Sequence, residues 1–312
     1  MEKEYKVNIG KLTFGIILLF GLLAACTSTA VVPSDTALDD RGYASTARIV
    51  STTWVSDNID SENIKIIDIR KPELFAEGHL PGAINYPTSE LQVERDGVSG
   101  MIPDGDIIAE KLGSLGVLPT DTIIIYDHIK NLWSTRFLWT LVVYGHEDAR
   151  LMDGAIALWE SEGRQIDAIE PAVASVTYEF AGTPDPTLVA SLDDALSTIN
   201  DSTKTVVDTR SADEYAGRSV RSERGGHIPD SIHVEWVVNH AEDGTFLPAA
   251  ELQKIYSTAA IESGQEIYTL CQTAVRATDS WFVLSELLGY DNVAVYDGSW
   301  AEYGNREDTP IA

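Results

Sequence analysis

Cysteine is scarce in this chain: 312 residues contain two, Cys26 and Cys271. Basic residues are few as well. Lys and Arg total 22 against 49 Asp and Glu, a formal net charge of −27. A surface this negative repels a phosphate backbone and lacks a broad basic face for a membrane, so a nucleic-acid partner is excluded. No metal-ligand spacing and no Gly-rich phosphate loop is present. An anionic substrate would have to be drawn in by local positive charge. What remains has the composition of a globular protein, long enough for two ordinary domains.

The first residues read as a targeting segment. Lys3, Lys6 and Lys11 precede an apolar run from Leu12 to Leu23, which ends in Ala24, Ala25 and Cys26. The run is short for a spanning helix and closes on small residues, as a secretory signal does. Leu-Ala-Ala-Cys resembles the lipobox of bacterial lipoproteins. That resemblance implies a signal peptide over 1–25, lipidation of Cys26, and a folded part held in the cell envelope outside the cytoplasmic membrane. The alternative is an uncleaved anchor with an incidental cysteine. Residues 26–45, rich in Ser, Thr, Ala and Asp, read as a flexible tether. With Cys26 lipidated, Cys271 is the only thiol of the mature chain, and an exported lone thiol invites a functional explanation.

The chain repeats itself. Asp68-Ile-Arg70 and Gly78-His79-Leu-Pro81 match Asp208-Thr-Arg210 and Gly226-His227-Ile-Pro229. The second copy carries eight extra residues before its His, among them Arg218, Arg221 and Arg224. Further on the copies align without gaps. Asp127 pairs with Cys271; eighteen residues later Gly145 pairs with Gly289, and twenty-six later Asp153-Gly154 pairs with Asp297-Gly298. A period near 140 residues is too long for a solenoid and signifies a duplicated domain. Short β-branched apolar runs at 64–69, 122–126, 204–208 and 266–270 read as buried strands. Helical patterns such as Phe137 to Tyr144 and Thr278 to Leu288 alternate with them. The expected fold is α/β: two similar domains, over 46–163 and 187–312, each a mainly parallel sheet with helices on both faces. The Pro- and Gly-containing stretch 164–186 reads as their linker.

Cys271 directly follows a strand pattern and precedes a helix, the place where parallel α/β sheets put their chemistry. Loop and helix N–H groups converge there and favour the thiolate, which is the nucleophile; Arg276 adds fixed charge. The combination of Cys-x4-Arg after a strand with a doubled Asp-x-Arg and Gly-His-[Leu/Ile]-Pro resembles a tandem-domain rhodanese over roughly residues 50 to 305. The resemblance implies a sulfurtransferase in which Cys271 takes a sulfane sulfur as a persulfide and passes it to a thiol or cyanide. It implies no metal or organic cofactor. It implies that Cys271, Gln272, Thr273, Ala274, Val275 and Arg276 cradle the sulfur with their N–H groups. Arg210 matches a family position that contributes to anion binding, against the plainer reading of an ion pair with Asp208 or Asp213. Arg218 is a further candidate against a plain surface role. The first copy, with Asp127 and Leu132 where the second has Cys271 and Arg276, is expected to be inactive.

Cys-Gln-Thr-Ala-Val-Arg resembles the loops of thiosulfate-using members more than the Cys-Gly-[Ser/Ala]-Gly-Val-Thr type of mercaptopyruvate sulfurtransferases. An Arg in the last place suits a small dianion. Mercaptopyruvate sulfurtransfer is the rival donor reading. A non-enzymatic sulfur-binding module is the rival from another class. A phosphatase would need Cys-x5-Arg to enclose its phosphate, and position 277 is Ala.

Overall fold

In a computed structural model, Met1 and residues 35–312 are described. The signal-peptide and lipidation expectations at 1–25 and Cys26, with the first part of the tether, lie outside the described residues. Residues 35–312 form one compact unit holding both copies of the repeat.

The first copy runs β1 (Ile49–Val50), α1 (Thr52–Asn58), β2 (Ile64–Asp68), α2 (Pro72–Glu77) and β3 (Ile84–Asn85). A hairpin follows, β4 (Val93–Arg95) and β5 (Val98–Met101), then α3 (Gly105–Ser114), β6 (Thr122–Tyr126), α4 (Leu132–Val143), β7 (Ala149–Met152) and α5 (Ala155–Ser161). The second copy runs β8 (Val189–Ala190), α6 (Leu192–Ser197), β9 (Lys204–Asp208), α7 (Ala212–Tyr215), β10 (Ile232–His233) and α8 (Ala249–Thr258). It continues with β11 (Glu266–Leu270), α9 (Val275–Trp281), a π-helical stretch (Phe282–Leu287), β12 (Val293–Tyr296) and α10 (Ser299–Tyr303).

Each copy makes a five-stranded parallel sheet. The orders, β1-β7-β6-β2-β3 and β8-β12-β11-β9-β10, are the same path drawn twice. The central strand β6 consists of β-branched and aromatic residues buried on both faces, and β11 is buried likewise from Ile267 to Leu270, as a sheet covered by helices requires. Between α5 and residue 186 the chain forms no helix or strand beyond one bridge, His79 to Asp167.

Part of the expected tether is ordered. Thr36–Arg41 form a 3-10 helix capped by Asp35, and Leu38 is buried. Arg41 Nη1 donates to the Phe246 carbonyl at 2.7 Å, and Tyr43 Oη donates to the Phe246 and Leu247 carbonyls at 3.2 and 3.1 Å. Residues 35–45 are thus docked on the second copy rather than free. Two apolar anchors within a polar stretch were enough to fix it, and composition alone masks them. Among the described residues no helix is long and apolar enough to cross a membrane.

Candidate active site

β11 ends at Leu270 and α9 begins at Val275, so Cys271 to Ala274 form a four-residue turn at the carboxyl end of the central strand. Ala274 takes φ +59, turning the chain into the helix. Cys271 is 1% exposed; Thr273 and Arg276 are the half-buried residues of the loop and mark its open side.

Ser299 holds this turn from below. Its Oγ accepts from the N–H groups of Cys271 (3.2 Å) and Ala274 (3.1 Å) and donates to the Tyr296 carbonyl (2.8 Å). The expected six-amide cradle is therefore smaller, because two of its donors are already used. The N–H groups of Gln272, Thr273, Val275 and Arg276 have no protein acceptor among the described residues. Four free N–H groups at one turn are the donors this loop can offer an anion or a thiolate. The Gln272 side chain turns away and donates from Nε2 to Ser222 Oγ at 3.0 Å.

Arg276 points to a partner that the sequence reading missed. Its Nη1 and Nη2 donate to Glu214 Oε2 (2.6 Å) and Oε1 (3.0 Å) in a fork. Burial works against both charges. For Arg276 the Glu214 bonds and the neighbouring Cys271 outweigh burial and raise its pKa. For Glu214 the Arg276 fork and two bonds from Ser211 outweigh it and hold the carboxyl at about 2. Arg276 thus stands beside Cys271 as a fixed cation paired with an ionised Glu214. Arg221, 59% exposed, approaches the same Glu214 at 3.5 Å. Glu214 could have been suspected from Ser211-x-x-Glu214, a capping box that places a carboxylate at the start of α7.

Arg210 is held in the ion pair with Asp208. Its side chain is 2% exposed and closed on Asp208, with Nε 2.9 Å from Oδ1 and Nη2 2.6 Å from Oδ2. Nη2 also donates to the Gly226 carbonyl at 2.8 Å, and the guanidinium lies 4.1 Å from the Trp300 ring centroid. Arg70 repeats the arrangement in the first copy with Asp68 and the Gly78 carbonyl. The same pairing in a copy without cysteine marks a shared framework role, and in the second copy it occupies Nε and Nη2 of Arg210. Arg218 is 64% exposed and paired with Asp213 at 2.6 Å. In the same inserted segment Arg224 is committed to the Gly304, Tyr303 and Thr309 backbone.

The matching loop of the first copy is filled from within. Asp127 is fully buried, and its Oδ1 accepts from Ile129 and Asn131 N–H (2.8 and 3.0 Å). Its Oδ2 accepts from Trp133 and Ser134 N–H (2.7 and 3.2 Å). Burial still pushes its pKa up. The loop binds an anion, its own.

The first copy also touches the Cys271 loop. Gln92 Nε2 donates to the Thr273 carbonyl at 3.3 Å, and a Cβ placed on Gly100 would lie 2.5 Å from Thr273 Cβ. Gly100 has φ +88, so both backbone and space require glycine there. Among the described residues no group of His, Cys, Asp and Glu is placed to hold a metal.

The model of the rhodanese-like domain matches residues 51–162 and again 191–306. The chain belongs to the rhodanese-like family. It is a sulfurtransferase built from two rhodanese-like domains. It is 33% identical over 279 residues to the thiosulfate sulfurtransferase of Corynebacterium glutamicum, covering 86% of this chain and 91% of that one. It is 32% identical over 286 residues to a sulfur carrier protein of Thermus thermophilus, covering 87% and 98%. Among solved structures, the anaerobic ergothioneine biosynthesis enzyme of Chlorobium limicola superposes with a TM-score of 0.77 at 22% identity, over 86% of this chain and 71% of that one. This last likeness concerns the fold.

Proposed function

We propose that the chain moves the outer sulfur of thiosulfate to cyanide or a thiol through a persulfide on Cys271. The reading is carried by one observation: a buried cysteine in a turn with four unpartnered N–H groups, beside a fixed Arg276. The thiosulfate relatives and the terminal Arg of the loop support the donor. In the first step the Cys271 thiolate attacks the outer sulfur. A Cys–S bond forms, the S–S bond of thiosulfate breaks, and its electron pair leaves with sulfite. In the second step cyanide attacks the persulfide's outer sulfur, giving thiocyanate and restoring the thiolate; a thiol acceptor becomes a persulfide instead. The loop amides bind the sulfur anion in both states, so charge never needs a new solvent shell. In this reading the first domain performs no transfer, because Asp127 is no sulfur acceptor and already fills its cradle.

Steady-state turnover of thiosulfate and of mercaptopyruvate, each with cyanide, tests the donor. The expected result is a higher kcat/KM for thiosulfate; a clear preference for mercaptopyruvate would overturn it. A persulfide that forms but never turns over would instead mark a sulfur-binding module.

The basic start, apolar run and Leu-Ala-Ala-Cys support a lipid on Cys26 and a place in the cell envelope. Partition into detergent that is lost in Cys26→Ala is the expected result. An unchanged, water-soluble full-length chain would contradict it.

A further inference from the structure

Arg136 is wholly buried, yet it belongs to the copy that has no active-site cysteine. It sits on α4, and its guanidinium crosses the boundary between the domains. Nη1 donates to Asp297 Oδ1 at 2.7 Å, and Nη2 donates to the Gly100 carbonyl at 2.8 Å. The guanidinium carbon lies 5.0 Å from the Trp139 ring centroid. Both acceptors lead to the Cys271 loop. Gly100 is pressed against Thr273. Asp297 opens the turn that carries Ser299, the residue whose Oγ takes the Cys271 and Ala274 N–H groups. Ser299 has φ +48, a backbone state costly for a residue with a side chain and kept only where the surroundings enforce it.

The repeat supplies the control. Asp153 and Asp297 correspond, and each accepts an N–H from the opposite domain, Phe246 and Ile102 respectively. That much is shared framework. Two differences then stand out: counted from the left-handed residue that opens each helix, Asn131 or Ala274, Arg136 corresponds to Asp279, and Ser299 corresponds to Ala155. Both differences serve the loop that bears the cysteine. A buried ion pair is poor evidence of stability, since desolvation offsets attraction, but it fixes geometry well.

We propose that Arg136 is a positioning residue for the Cys271 loop, acting through Asp297 and Ser299 on one arm and Gly100 on the other. The proposal rests on reading Cys271 as the sulfur carrier. It gives the cysteine-free domain a definite task in the reaction.

The test uses the full chain with Arg136→Met/Asp297→Asn, Arg136→Lys and Ser299→Ala, and Asp153→Asn as the framework control. Three quantities are read: the thermal midpoint, single-turnover sulfur loading from thiosulfate, and the pH profile of iodoacetamide alkylation on the Cys271 peptide. The double variant and Ser299→Ala should load sulfur more slowly, on the order of a hundredfold for a displaced reacting group. Their alkylation profiles should move to higher pH, because the amides that favour the thiolate are misaligned. Arg136→Lys, which keeps the charge and loses the second arm, should fall between. Asp153→Asn should leave loading and alkylation at wild-type values. If the double variant does not fold, Arg136→Lys and Ser299→Ala decide; Ala155 holds φ +55 at the corresponding place, so this backbone accepts alanine. Wild-type loading and alkylation in the folded variants would overturn the proposal. A wild-type chain that never loads sulfur would overturn the carrier reading instead, while the alkylation profiles, which need no donor, would still judge the positioning.

Discussion

Asp127 and Cys271 occupy one position in two copies of one loop, and they show what that loop is for. Given a carboxylate, it folds four N–H groups onto it. Given a thiol, it leaves four N–H groups for the sulfur and whatever the sulfur carries. The charge at the second loop is set by Arg276 and tempered by Glu214. Glu214→Gln should therefore keep the contact, free the cation, and lower KM for thiosulfate roughly threefold to tenfold, worth about 1 kcal/mol. The KM should also become more sensitive to added salt. An unchanged or raised KM would show that Glu214 aligns Arg276 more than it masks it. Cys271 and Arg276 were legible because position in a repeat exposes the copy that differs. Arg210 recurs with Asp208 as Arg70 does with Asp68, so that ion pair belongs to the framework of both copies. Glu214 stayed hidden because it meets Arg276 from 62 positions away.

At the scale of elements, the two loops differ in length. α4 starts five residues after Asp127 and α9 four residues after Cys271, yet both copies reach the next glycine, Gly145 or Gly289, eighteen residues on. The residue saved in the second loop must fit within its helix. The π stretch Phe282–Leu287 takes it, since a π turn holds one residue more than an α turn. The strands were readable from their β-branched runs, whereas this helix was visible only as a pattern over Thr278 to Leu288, because a helix's first turn leaves little apolar signal. The β4–β5 hairpin does carry a signature, Asp96-Gly97 with φ +55 and +80, but it is two residues long and is easily overlooked beside the longer strand runs. It is also the element that reaches the other domain's loop. Gly100→Ala places a methyl against Thr273 at φ +88, so it should cost about 1 kcal/mol or more in thermal stability. Sulfur loading should slow more than this loss of stability accounts for. A variant with normal loading would show that the hairpin merely covers the loop.

The whole molecule is two copies related by duplication, and its asymmetry lies in buried charge. Asp297 has Arg136, whereas no arginine is bonded to Asp153 among the described residues, and its Oδ2 lacks a partner there. Burial raises Asp153 to about 6, against the Phe246 N–H and the nearby Arg41 and His240. His240, buried with Asp279 at 2.7 Å, is driven down by burial but raised overall by that carboxylate. Both groups have folded pKa values above their unfolded ones. Each therefore contributes most below the unfolded value and loses that contribution as pH rises through the folded one. The fold should gain about 1 kcal/mol from Asp153 alone between about pH 8 and 5.5. Thermal midpoints across that range should rise toward acid in the wild type and rise less in Asp153→Asn; equal slopes would contradict the assignment. The duplication itself was legible in full, because landmarks in register need no structure to be counted. The packing of residues 35–45 was not, since it depends on Leu38 and Tyr43 finding a distant surface.

The central claim, that Cys271 carries the sulfur, is tested most directly by intact mass spectrometry of the reduced protein after exposure to thiosulfate. One added sulfur atom, mapped to the Cys271 peptide, removed by cyanide and absent in Cys271→Ser, is the predicted result. A mass unchanged by thiosulfate, or sulfur that persists in Cys271→Ser, would contradict it.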